Sequence, residues 1–168
     1  MSDYFIEVLK TSESVVFAGF SFCCITSPTL GSITSGYIGN LIGGYSSKWA
    51  LPICLITSLF AASIGITVPL LNDYIWAFIA LWFYLFLGGI TLPLLMGIML
   101  SSCEPELRPK ANALANLNFN IMGYLPGPFV YGTICQWTGG STSKWGMIFT
   151  MSMNIPTIFF IMGCLCFR

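Results

Sequence analysis
Charged residues divide this chain into long stretches in which none occurs. Residues 14–47, 49–72, 74–103, 111–143 and 145–167 hold no aspartate, glutamate, lysine or arginine. Each has room for the ~20 apolar residues that a helix needs to cross a bilayer. The pattern predicts an all-α integral membrane protein in a single domain over 1–168. Its spans are expected over 14–42, 49–70, 74–100, 109–137 and 145–167, a bundle of five transmembrane helices.

Finer patterns sit inside these spans. In the first, Ser27, Gly31, Ser35 and Gly39 recur every four residues and Gly43 continues the series. Such a stripe of small residues lets a second helix backbone come close. Pro28 is expected to kink this helix, and Pro156 lies near the centre of the fifth. The third span carries Gly88, Gly89 and Pro93 in its second half.

The stretch 103–136 has the most unusual pattern. A short charged loop leads into Pro109, a residue suited to the first turn of a helix. Asn112, Asn116 and Asn120 follow at a spacing of four and share one helix face. The segment is then interrupted by Gly123-Tyr124-Leu125-Pro126-Gly127-Pro128, in which each proline removes an i→i−4 hydrogen bond. A broken helix with an amide stripe is tolerated in a membrane only where it faces protein or a watery cavity. This is the first pointer to a transport path.

Composition strengthens the membrane reading. Of 168 residues, 56% are hydrophobic and only 7% charged, against roughly 25% charged in a soluble domain. The net charge of zero implies no nucleic-acid partner. There is no histidine, and no nucleophile–base pair, metal cluster or phosphate loop is visible. The chain is therefore not expected to be an enzyme, and no cofactor or metal is expected. The seven cysteines fall mostly within the spans, at no metal-like spacing, and are read as small apolar filler. The acidic first thirteen residues have the wrong sign for a cleavable leader. They are read as an amphipathic segment ahead of the first span.

Charge placement suggests a topology. With the N-terminus non-cytoplasmic and the C-terminus cytoplasmic, Lys48, Arg108, Lys110 and Arg168 are cytoplasmic, and Lys10 and Lys144 lie outside. That distribution follows the positive-inside rule. Trp49, Trp76, Trp137 and Trp145 fall at span ends, as an aromatic belt requires.

Two loops expected on the same side carry a family resemblance. The first is Gly36-Tyr-Ile-Gly39-Asn40-Leu-Ile-Gly43-Gly44 followed by Lys48. It resembles the degenerate second copy of the Gly-x-x-x-Asp-Arg-x-Gly-Arg-Arg loop of major facilitator superfamily transporters. The second is Glu104-Pro-Glu-Leu-Arg108-Pro-Lys-Ala111-Asn112, with Gly123-Tyr-Leu-Pro126-Gly127-Pro128 and Gly132 beyond it. It is similar to the tenth-to-eleventh helix loop and eleventh helix of spinster-like and organic-anion-transporting members. The alignment makes the chain similar to helices eight to twelve of a twelve-helix carrier, most of its C-terminal half. It departs from the pattern at Asn40, where the family often has Asp, at Leu41, where it has Arg, and at Pro109, where Gly often follows the Arg.

The resemblance implies membrane transport of a small organic solute, lipid-like or anionic, by alternating access, this chain being part of a secondary carrier. Its implied partners are the bilayer, a small-molecule substrate, and the missing N-terminal helices or a partner chain. Asn116, Asn120 and Tyr124 are the substrate-binding candidates, against ordinary interhelical hydrogen bonding worth roughly 0.6–2 kcal/mol per contact. Pro126, Gly127, Pro128, Gly88 and Gly89 are the hinge candidates, against static kinks and close packing. Gly36, Asn40, Gly43, Lys48 and Arg108 are the candidate cytoplasmic loop motif, against a plain role in setting topology. The Ser27–Gly43 stripe is read as packing, with substrate contact by Thr26 or Ser27 the lesser option. No span contains an acid, so the chain has no proton relay of its own. The alternative is a truncated, non-transporting membrane protein or a structural subunit that packs against another membrane protein.

Overall fold
The protein, seen here in a computed structural model, is described over residues 6, 12–124, 126–137, 144–152 and 155–166. Among these residues the backbone is helical throughout, apart from short turns. Helix α1 covers Glu13–Leu41. Helix α2 covers Ala50–Thr67 and is extended by a 3-10 turn, Val68–Leu70. Helix α3 covers Tyr74–Ser101. A second 3-10 turn, Pro105–Leu107, leads into α4, Arg108–Asn118. A π-helical segment, Phe119–Tyr124, then precedes α5, Pro126–Trp137. Helices α6, Lys144–Ser152, and α7, Ile155–Cys166, complete the order.

Four stretches are long and apolar enough to cross a membrane: Glu13–Leu41, Ala50–Leu70, Tyr74–Ser101 and Gly146–Cys166. They coincide with four of the five expected spans. The segment expected as the remaining span, 109–137, is instead divided between α4, the π segment and α5. Two features of the sequence account for the division. Pro126 and Pro128 have no N–H to offer the carbonyls four residues earlier. Helix α4 also carries Arg108, Lys110 and three asparagines in eleven residues and buries no side chain.

Helix α3 is the centre of the bundle. Helix α1 packs along one side of it and α2 along another, and α2 in turn packs against α6 and α7. The apolar core forms two layers. One joins Val16 of α1, Val68, Ala77 and Leu81 to Met147 and Met151 of α6. The other joins Leu51 and Cys54 of α2 to Ile90 and Leu94 of α3 and Ile161 of α7. The first gathers the start of α1, the end of α2 and the start of α3, and the second gathers the opposite ends of α2 and α3. Helices α1, α2 and α3 therefore alternate in direction.

The small-residue stripe of α1 is what brings it against α3. Cys23, Ser27, Gly31, Ser35 and Gly39 are all buried. At the closest approach a Cβ built on Gly31 lies 2.5 Å from the Phe86 carbonyl oxygen, and one built on Gly89 lies 2.9 Å from Pro28 Cα. Polar contacts pin the same helices. Trp82 Nε1 donates to Thr26 Oγ1 at 2.9 Å, while Thr26 Oγ1 donates to the Phe22 carbonyl at 2.7 Å. Between α2 and α3, Thr57 Oγ1 and Thr91 Oγ1 are 2.9 Å apart. Other span hydroxyls, such as Thr29 and Ser32, donate to carbonyls of their own helix, which satisfies them without water.

Helix α1 ends in a Schellman motif. Gly44 N–H donates to the Gly39 carbonyl at 2.8 Å and Gly43 N–H to the Asn40 carbonyl at 3.2 Å. Gly43 and Gly44 have φ of 83° and 99°, a region in which L side chains are strained. The chain thereby turns back over the end of α1 and delivers Tyr45 to the bundle.

Candidate functional site
A cavity of about 1410 Å³ opens where the last turns of α3 meet the loop after α1. Its polar end is made by Tyr45 and Ser46 of that loop and by Ser101, Ser102 and Cys103 at the exit of α3. Beyond it the walls are mostly apolar, with Asn118 of α4 and Thr157 of α7 as polar exceptions. Leu95, Met96 and Met99 come from α3, Leu114 and Leu117 from α4, and Phe160 from α7. Phe119 and Ile121 of the π segment and Gly127 of α5 form a further side. The volume exceeds the ~300–1,000 Å³ of ordinary ligand pockets, as suits a cleft open on one flank. Its charge-free, sulfur- and hydrocarbon-rich interior with one hydroxyl-lined end can take an amphipathic guest.

Helix α4 stands beside the bundle rather than inside it. The face it turns to the cavity carries Ala111, Leu114, Ala115 and Asn118, spaced i, i+3, i+4, i+7. Asn118 is the amide of this helix in the lining, and the sequence did not single it out. Its signal was available in the apolar spacing of Ala111, Leu114 and Ala115, which marks the inward face more directly than the amide stripe does. Asn112, Asn116 and Asn120 are exposed and lie outside the lining. Asn120 Nδ2 instead donates to the Asn116 carbonyl at 2.8 Å, a contact within the helix.

The two loops singled out by their residues do share one end of the bundle, since both contribute to the cavity. Within them, Asn40, Gly43, Lys48 and Arg108 are exposed. Arg108 Nε donates to the Cys103 carbonyl at 3.4 Å, which ties the start of α4 to the exit of α3. Gly36 has open space where a Cβ would stand, as do Gly88, Gly127 and Gly132. Gly88 and Gly89 thus part company: one is unconfined and the other is jammed against α1. Gly127 borders the cavity, Pro128 is exposed, and the side chains of Tyr124 and Pro126 lie outside the described residues. Tyr131 packs against Gly146 of α6.

No family model, curated protein or solved structure matches this chain. The functional reading accordingly rests on the residues and their arrangement. Among the described residues, no three histidine, cysteine or acidic side chains come together. None of the seven cysteines forms a disulfide.

A second hollow, about 670 Å³, runs along the outer seam of α1 and α3 beside Gly19, Phe22, Phe78 and Trp82. It is almost wholly apolar and lies within two candidate spans. Hydrocarbon packing explains it without any chemistry.

Proposed function
We propose that this chain is part of a secondary carrier of the major facilitator type, a five-span segment resembling most of its C-terminal half, that moves a small organic solute by alternating access. The supporting observation is the amphipathic cavity beside the broken α4–α5 segment. Discontinuous helices next to a midplane site are a common feature of such carriers, in which one half rocks against the other. A π-helical stretch is often found at functional sites as well. The loop resemblance adds a lipid-like or anionic solute to the reading, and Lys48 and Arg108, exposed on the segments next to the cavity, are compatible with an anionic headgroup. In this reading the bilayer surrounds the bundle, with the N-terminus non-cytoplasmic and the C-terminus cytoplasmic.

The test is solute uptake by vesicles containing the chain, alone and together with the N-terminal helices of a related carrier. A panel of lysophospholipids, organic anions and neutral polar solutes is offered. Uptake of one class, blocked when Cys103 is alkylated with a bulky maleimide, is the expected result. No uptake in either arrangement sinks the reading.

A non-transporting subunit that packs against another membrane protein is the second reading. It is favoured by the exposed side of α1, where Ser14, Ala18, Ser21, Thr29 and Ser32 flank Ile25 on a face of mostly small residues. A stable complex without uptake supports it.

A further inference from the structure
Tyr45 occupies a seat made by two glycines on different helices. A Cβ built on Gly97 of α3 lies 2.5 Å from Tyr45 Cδ1, and one built on Gly39 of α1 lies 3.2 Å from its Cε1. The ring has this place only because Gly97 carries no side chain, and a side chain on Gly39 would crowd it by a few tenths of an ångström. The backbone that aims it is fixed by the same residue: the Gly39 carbonyl accepts the Gly44 N–H at the end of α1. Tyr45 also packs against the core layer of Leu51, Ile90 and Leu94. On its other side it lines the large cavity next to Ser102 and Cys103.

We propose that Tyr45 is a wedge that locks the end of α1 to α3 and narrows the polar end of the cavity. The ring is simultaneously a spacer between two helices and a wall of the cleft. Its withdrawal into the cavity would leave the Gly39–Gly97 seam without its filler. It rides on a loop, so its withdrawal needs no helix to unwind. The wedge is a property of the fold alone. Its role as the gate of a transport cycle rests on the carrier reading above.

Site-resolved alkylation tests this on the full chain in nanodiscs. A membrane-impermeant maleimide is applied, and the rate at each cysteine is read by mass spectrometry of the digest. Cys103 reports the polar end of the cavity, while buried Cys23 and Cys54 report the integrity of the bundle. Tyr45→Ala is expected to speed labelling of Cys103 several-fold and to leave Cys23 and Cys54 slow. Gly97→Ala, whose methyl takes the place of the ring, is expected to do the same. Tyr45→Phe keeps the ring and should match the unaltered chain. Should Gly97→Ala fail to fold, Gly39→Ala replaces it, with a smaller increase at Cys103 expected because its methyl only crowds the ring.

Unchanged Cys103 labelling in Tyr45→Ala overturns the proposal. So does a Tyr45→Phe chain that behaves like Tyr45→Ala, or acceleration at Cys54 in step with Cys103. These rates require no substrate. Absent uptake with the expected labelling therefore removes the carrier reading and leaves the wedge standing.

Discussion

Gly31 of α1 and Gly89 of α3 meet backbone to backbone. A Cβ built on Gly31 comes within 2.9 Å of Gly89 Cα, and one built on Gly89 within 3.3 Å of Gly31 Cα. No rotamer change relieves such a clash, because the atoms struck belong to the main chain. Gly31→Ala is expected to push the helices apart and destabilise the bundle by about 1–3 kcal/mol. Gly88→Ala meets nothing within 4 Å and should be neutral or stabilise by up to ~1 kcal/mol. Denaturation of both variants in detergent micelles checks this pair. Equal losses would mean that Gly88 is as closely confined as Gly31.

The hydroxyls of Thr57 and Thr91 join α2 to α3 at 2.9 Å. Each also lies within hydrogen-bond distance of a carbonyl of its own helix, so its loss leaves few orphaned groups. A double-mutant cycle with valine at both positions should yield a coupling of ~0.6–1.7 kcal/mol, the range for hydrogen bonds between membrane helices. A coupling indistinguishable from zero would show that each hydroxyl is satisfied within its own helix.

Gly43 has the left-handed backbone of a helix terminator, with φ of 83°. Gly43→Ala is expected to cost about 1–2 kcal/mol, the penalty for placing an L residue there. Gly43→Asn should lose less, since asparagine tolerates this region better. Thermal denaturation of the two variants decides whether the order holds.

Among the amides of the broken segment, Asn118 borders the cavity whereas Asn116 and Asn120 point elsewhere. Under the proposed carrier function, Asn118→Trp should obstruct the cleft and depress uptake at least about tenfold, equivalent to ~1.4 kcal/mol. Asn116→Ala and Asn120→Ala should leave it near the starting rate. The reverse ranking in the vesicle assay would mean that α4 turns during transport.

Much of the bundle was legible because membrane spans are written in local terms. Charge-free length located α1, α2, α3 and the final span, and four-residue spacing of small residues located the side of α1 that is buried. The break near Pro126 was legible for the same reason, since a missing N–H is a local fact. What could not be read is how α4 is rotated against the rest. The spacing of Asn112, Asn116 and Asn120 states that they share a face but not what that face meets. The seat of Tyr45 is equally hidden, because Gly39 and Gly97 are far apart in sequence and become partners only when α1 and α3 pack. The π segment also escaped notice, as it depends on how the strain around Pro126 and Pro128 is distributed along the turns before them.

The central position of α3 has a consequence for how the protein is made. Within this bundle α1 and α2 leave the ribosome before α3, yet α3 is their main partner. Until α3 enters the bilayer, Ser27, Gly31 and Ser35 of α1 lack the surface they pack against here. Membrane helices can persist singly in that state, since lipid tails are as apolar as the core they will join. Assembly is therefore set by the arrival of one segment, which brings Gly89 and Trp82 to α1 and Thr91 to α2 in the same step. Damage confined to α3 should leave two correctly inserted helices that never find each other, a defect of biogenesis that insertion assays alone would miss.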